Sequence, residues 1–358
     1  MPLISVIIPV YNCEKYISRA IESVHRQPLS FACEIIVVDD GSEDHSLEVC
    51  RSLMQEIQSL KVIHQDNQGV SAARNCGIRA ASGEYVMFLD ADDMYVDGIL
   101  GEGLEDILKQ KFDVIMFSAY TANIEKDRFG INMVLRDLDC TGKQPISIPG
   151  TFASGLYRRK NLLDKNILFD EEVRINEDQV FNLKAMYMAG KIRFCSRFCY
   201  IYIKNPYSAS HKGDLGMEYM KAWKKGYEWF EENAVENKEA MLAFCRIKLY
   251  SRILLYAQNY SKRKPGKKAL TEELKWIQAY DLLMTLSANQ VLPHLKEMLE
   301  LFQKNLSKFI LLNWLEGQKV YWGRIALRIT PVRRWRDKKV YPFEAVSLNG
   351  PVGHAQRK

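Results

Sequence analysis

Apolar and polar positions follow two different periods along this chain, and the switches between them mark its elements. Residues 4–10 are an unbroken apolar, β-branched run ending around Pro9, the pattern of a strand buried on both faces. Over residues 14–25 the apolar positions Tyr16, Ile17, Ala20, Ile21 and Val24 recur at helical spacing. Residues 34–38 form a second buried strand that closes on Asp39-Asp40-Gly41-Ser42. Asp44 is placed to cap the next helix, whose inward positions are Leu47, Val49, Cys50 and Leu53. The alternation continues with a short strand at 61–64, an alanine-rich helix at 69–81 stopped by Gly83, and a strand at 85–89 ending at Asp90. A helix at 96–109 and a strand at 114–120 follow.

Strands and helices alternating at this interval predict an α/β domain with a mostly parallel sheet flanked by helices on both faces. Ligands of such sheets bind outside the carboxyl ends of the strands. Asp39-Asp40 and Asp90-Ala91-Asp92 both fall there, which is the first functional signal in the chain. Past Ser118 the pattern loosens: 127–148 reads as a hairpin or excursion, 152–157, 161–168 and 178–189 as strand and helix, and 192–204 as strands. From Leu215 helical segments dominate, broken near 262–266 and 287–293. The expected organisation is an α/β domain over 1–214 and a mainly helical region over 215–358 that ends in a basic, aromatic tail and is a candidate for homodimer contacts.

With 358 residues, about half of them apolar, the chain can bury a sizeable core. No apolar run approaches the roughly 20 residues of a membrane-crossing helix, and the N-terminus lacks the basic leader of a signal peptide. The expected location is the cytoplasm, where the eight cysteines would be reduced thiols. The net charge of +6 conceals an asymmetry: roughly −10 through Tyr120 and roughly +8 from Lys319 onward. Basic character confined to one end argues against nucleic acid as the partner and for a local contact. Tyr321, Trp322 and Trp335 interleaved with Arg324, Arg328, Arg333, Arg334 and Arg336 suit the inner face of an anionic membrane, or else a basic helix packed on the protein body.

Clustered carboxylates are costly to desolvate unless a cation compensates them. Asp90-Ala91-Asp92-Asp93 after the buried strand is therefore a candidate Mn²⁺ or Mg²⁺ grip on a diphosphate, the alternative being an exposed acidic turn. Asp39 and Asp40 are candidates to accept a nucleobase N–H, or to form a capping turn. Arg74 and Asn75 lie on the alanine-rich helix, whose start offers amide N–H groups to an anion. Glu177-Asp178 precedes a helix; acids favour that position, and a base there would take a proton from an attacking hydroxyl.

Together, Ser5-Val6-Ile7-Ile8-Pro9-Val10-Tyr11-Asn12, Ile36-Val37-Val38-Asp39-Asp40-Gly41-Ser42, Asn67-Gln68-Gly69-Val70-Ser71-Ala72-Ala73-Arg74-Asn75-Cys76-Gly77 and Gly83-Glu84-Tyr85-Val86-Met87-Phe88-Leu89-Asp90-Ala91-Asp92-Asp93 strongly resemble the family-2 inverting glycosyltransferases of the GT-A (Rossmann-like) fold, of the bacterial surface-polysaccharide kind. Four motifs in order over about 100 residues are far more specific than any one of them. The resemblance implies a UDP-sugar donor and a glycan or lipid-linked saccharide acceptor. It implies that Pro9, Val10, Tyr11 and Asn12 line the nucleoside pocket and that Asp39, with Asp40 beside it, faces the uracil. It further implies that Arg74 lies beside the nucleotide, Asp90 and Ala91 approach the ribose or sugar, and Asp92 ligates the metal. Glu177-Asp178-Gln179-Val180-Phe181-Asn182 resembles the family's catalytic motif, with Asp178 as the base and Glu177 as runner-up, and His211 is a candidate further metal or diphosphate ligand.

Competing classes fit less well. A nicotinamide dehydrogenase needs a G-x-G-x-x-G after the first strand, and a P-loop enzyme needs G-x-x-x-x-G-K-[ST]; neither is present. A nucleotidyltransferase would open with a Gly-rich loop where this chain has Pro9-Val10-Tyr11-Asn12. A non-catalytic nucleotide-sugar or glycan-binding protein is the reading from another class, separated by whether transfer occurs.

Overall fold

In the computed structural model the described residues are 3–123, 128–141, 152–205, 216–239, 241–242, 244–245, 248 and 341–342. Strand β1 (Ile4–Val10) is buried along its whole length. It pairs in parallel with β2 (Cys33–Asp40) and β4 (Tyr85–Phe88), and β2 pairs in parallel with β3 (Leu60–Gln65). Strands buried on both faces must be continuously apolar, which is why these runs were readable. Their crossovers are α1 (Ile17–His25), α2 (Ser46–Glu56) and α3 (Val70–Ala80). Helix α3 lies close on β1: a β-carbon at Gly77 would overlap the side chain of Ile7. The Asp44 carboxylate accepts the Ser46 amide at 3.0 Å, so it does hold the start of α2.

The second half of the sheet is mixed. It comprises β5 (Met94–Tyr95), α4 (Leu104–Lys109), β6 (Val114–Asn123), β7 (Arg128–Met133), β8 (Leu138–Thr141) and β9 (Gly155–Arg158). Helices α5 (Arg159–Asp164) and α6 (Glu177–Met188) and strand β10 (Lys191–Ile203) complete it. Strand β9 runs antiparallel between β4 and β6, while β10 is parallel to β6 and antiparallel to β5 and β8. A two-residue strand, β11 (Tyr341–Pro342), edges β7, giving the order β11-β7-β6-β9-β4-β1-β2-β3.

Several expected elements change. The helix expected over 96–109 survives only as α4, because Gly98 and Gly103 take φ of +78° and +80°. Gly83 does not end α3, which passes into an extended Ala81. Gly83 is needed because a β-carbon there would collide with the Ser5 backbone. Asp39 and Asp40 are the last two residues of β2 rather than a turn after it. Residues 192–204 are one long strand, not several.

The chain divides into two compact units, residues 1–211 with 339–358 and residues 212–338. The described part of the second unit is chiefly α7 (Gly216–Asn233), which buries Met220, Trp223 and Phe230. The further helices expected beyond residue 248 and the basic tail, apart from β11, lie outside the described residues. Among the described residues no helix is long and apolar enough to cross a membrane.

Candidate functional site

The first group of residues sits at the ends of β1 and β2. Pro9 and Val10 are buried and register with Val38 and Asp39. Tyr11 follows them and is 45% exposed, a large aromatic residue left uncovered at a strand end. Asn12 takes φ +51°, and its side-chain oxygen accepts the amides of Glu43 (2.8 Å) and Asp44 (3.3 Å). Asp40 is likewise taken up by the chain: Oδ1 accepts from Gln65 Nε2 and the Gln68 amide, and Oδ2 from the Gly69 amide at 2.8 Å. Asn12 and Asp40, expected to meet the nucleotide, thus also brace the loops beside these strand ends. Asp39 differs. It is fully buried, Oδ2 accepts from His64 Nδ1 at 2.7 Å, and Oδ1 has no partner among the described residues.

The second group follows β4. Asp90 is half-buried with its amide donating to Tyr200 Oη at 3.3 Å, and Ala91 is buried. The Asp92 carboxylate accepts from Asn205 Nδ2 at 3.2 Å and its carbonyl from Arg19 Nη2 at 2.8 Å. Burial, reinforced by the charge of Asp90, raises the Asp92 carboxyl above its usual range. Asp93, the last acid of this run, is 1% exposed and ties the turn to β10. Its Oδ2 accepts from the Tyr200 hydroxyl at 2.5 Å and its Oδ1 from the Ile203 amide at 2.7 Å.

The third group joins the other elements. Arg74, expected beside the nucleotide, is 4% exposed and forks between Asp90 Oδ1 (Nη2, 2.8 Å) and Glu177 Oε1 (Nη1, 2.7 Å). Its guanidinium also lies over the rings of Phe152 and Phe169, at 4.6 and 5.2 Å from their centroids. Phe169 stacks on Phe181 at 3.9 Å, with Phe88 and Tyr157 edge-on or tilted around them. Glu177 and Asp178 open α6 behind Asn176, whose φ of +69° turns the chain into the helix. The Asp178 carboxylate accepts its neighbour's amide, Gln179 N–H, at 2.7 Å. Burial first, and the adjoining Glu177 charge second, push the Asp178 carboxyl up to about 7 despite Arg74.

Arg74 thus brings Asp90 and Glu177-Asp178 into one cluster, with Asp92 two residues from Asp90. Asp39 and His64 form a separate pair at the β2–β3 edge. His211 lies outside the described residues. Sequence patterns missed His64, Tyr200, Asn205 and Arg19, which carry no motif of their own. A cavity of about 460 Å³ beside α3, between Gln65, Gln68, Cys76 and Glu171, contains none of the candidate carboxylates. Among the described residues no three His, Cys, Asp or Glu side chains are grouped as a ready-made metal cage. The donor set nevertheless suits a hard cation completed by phosphate oxygens: two neighbouring carboxylates, one raised by burial and mutual repulsion, gain most from added positive charge.

The match to known proteins extends this geometry. The family model described as glycosyl transferase family 2 matches residues 5–167. The chain is 35% identical over 217 residues to the uncharacterized glycosyltransferase EpsJ of Bacillus subtilis, covering 58% of this chain and 63% of that protein. It is 30% identical over 236 residues to the uncharacterized glycosyltransferase YibD of Escherichia coli, covering 62% of this chain and 68% of YibD. The match thus spans a little under two thirds of EpsJ. The crystal structure of S. aureus TarS 1–349 in complex with UDP-GlcNAc superposes with a TM-score of 0.67 at 24% identity, covering 89% of this chain and 91% of that one, a likeness of fold. With the ordered strand-end motifs and the coverage of YibD, this chain belongs to glycosyl transferase family 2.

Proposed function

We propose that this chain moves a sugar from a UDP-sugar to a hydroxyl of a glycan or lipid-linked saccharide, inverting the anomeric carbon by direct displacement. The observation that carries the proposal is Asp178: a carboxyl pushed up to about 7 beside the Arg74-linked acidic cluster is tuned for general-base work near neutral pH. In the proposed reaction the acceptor hydroxyl gives its proton to Asp178 as its oxygen bonds to the anomeric carbon. The bond from that carbon to the diphosphate oxygen breaks, and UDP leaves. Asp92, with His211 as a further candidate, would hold Mn²⁺ or Mg²⁺, which would supply positive charge against the leaving diphosphate, while Asp90 would approach the ribose or sugar. Asp39 would accept the uracil imide N–H through Oδ1, which has no partner among the described residues, and Tyr11 would lie against the base.

TarS bound to UDP-GlcNAc supports a UDP-sugar donor, with a hexose or N-acetylhexosamine as the sugar. The catalytic part would be residues 1–214, and the basic tail of the region 215–358 would meet the membrane carrying a lipid-linked acceptor. The test is UDP release from a panel of UDP-sugars with Mn²⁺ or Mg²⁺, with and without saccharide acceptors. Wild type should turn over at least one donor, Asp92→Ala should lose turnover, and Asp178→Asn should lose transfer while still binding UDP. Wild-type turnover by Asp178→Asn would remove the base assignment. Donor binding without transfer to any acceptor would favour a binding protein.

A further inference from the structure

We infer that His64 is a positioning residue that sets the nucleobase selectivity of this site: by occupying one oxygen of Asp39, it leaves a single buried acceptor, matched to a base that offers one ring N–H. The inference rests on the proposed reading that the base of the donor faces Asp39.

The pairing is built into the sheet. In the parallel register of β2 and β3, Asp39 stands opposite His64. The two side chains meet at 2.7 Å, with that of Asp39 wholly buried and that of His64 48% exposed. A carboxylate offers only acceptors, so in this pairing His64 would donate through Nδ1–H to Asp39 Oδ2. The other oxygen, Oδ1, is buried with no partner among the described residues. A buried acceptor left in this way is a standing demand for a donor. Because His64 fixes the carboxylate plane, that demand points in one direction.

The chemistry of the bases then decides which donor fits. Uracil presents one imide N–H flanked by carbonyls. Guanine presents a ring N–H and an adjacent amino group, a pair that binds a carboxylate through both oxygens. Adenine and cytosine present no ring N–H on that edge. With Oδ2 held by His64, the second donor of guanine would be buried without an acceptor, which is how a polar site rejects a near-analogue. His64 acts through Asp39 and need not touch the base.

The experiment titrates the full-length chain with UDP and with GDP, following binding by calorimetry, for wild type, Asp39→Asn, His64→Ala and His64→Asn. The asparagine amide can replace the Nδ1–H donor. Circular dichroism confirms folding, which a half-exposed position should tolerate. The expected result is that His64→Ala weakens UDP binding and narrows the preference for UDP over GDP by at least about tenfold, while His64→Asn restores most of it. A His64→Ala protein that binds both nucleotides equally weakened, or with an unchanged ratio, overturns the inference and reduces His64 to a structural partner. The parent reading fails separately: if wild type does not bind UDP, or Asp39→Asn binds it as well as wild type, the base does not face Asp39.

Discussion

Replacing Arg74 by methionine keeps an unbranched apolar stem and removes the charge that joins the two acidic motifs. The guanidinium and Glu177 are 5% and 9% exposed, so water screens neither, whereas Asp90 is 34% exposed. Burial opposes the charged guanidinium, but Asp90 and Glu177 outweigh it and raise it above its ordinary value, so Arg74 stays charged at neutral pH. Removing one partner of a buried ion pair costs about 3–5 kcal/mol, because the remaining carboxylate is left uncompensated. The Asp90 arm, a third exposed, adds less than about 1 kcal/mol. At about 2–4 °C per kcal/mol for a unit of this size, Arg74→Met should melt roughly 6–20 °C below wild type. Glu177→Gln should cost less, since Asp90 still balances Arg74. Urea unfolding at pH 7.5, followed by far-UV circular dichroism, gives each stability and that of Arg74→Met/Glu177→Gln. The double variant should be no less stable than Arg74→Met, because the orphaned charge is gone. If the two single effects instead add within about 0.5 kcal/mol, the pair is uncoupled and the bridging role of Arg74 is refuted.

Three further outcomes can be measured. Because the Asp178 carboxyl is pushed up to about 7 and the base must be ionised, transfer should rise with pH through about 7, and a flat profile from pH 5 to 8 would contradict the assignment. The same raised value favours the protonated fold, so its stabilising effect is present below about 4 and lost as pH rises through about 7. Asp178→Asn should therefore be more stable than wild type above pH 7, with the gain vanishing toward pH 4 in denaturant titrations. Gly77→Ala would drive a methyl into Ile7 and separate α3 from β1; it should lose about 1–3 kcal/mol by urea titration, and wild-type stability would show that the contact is not tight.

What could be read from the chain beforehand follows the range of the interactions. Strands β1, β2 and β4 and helices α1 and α3 were legible because burial on both faces writes a continuous apolar run and burial on one face writes a helical stripe. The mixed half of the sheet was not. The four residues of β9 acquire their identity from pairing with β4 and β6, which no local period encodes. The glycines at 98 and 103 broke an apolar pattern that otherwise satisfied a helix. The site divides in the same way. Residue types at strand ends announced acidic chemistry, but the partners lie far off in sequence: Glu177 is 103 positions from Arg74, and Tyr200 is 107 from Asp93. A carboxylate or amide facing a ligand also looks the same, in sequence, as one facing the chain. Asn12 and Asp40 read from residue type as nucleotide contacts, and their loop hydrogen bonds were not legible in the chain. The chain's own demands separate the acids of this site. Asp40 and Asp93 have both carboxylate oxygens engaged by the fold, and Glu177 is bound by Arg74. Asp39 keeps one buried oxygen without a partner among the described residues, while burial raises the Asp92 and Asp178 carboxyls above their usual range. Folding alone gives no reason to keep three such costly carboxylates at neighbouring strand and helix ends, whereas a nucleobase donor, a cation and an acceptor hydroxyl would each relieve one of them.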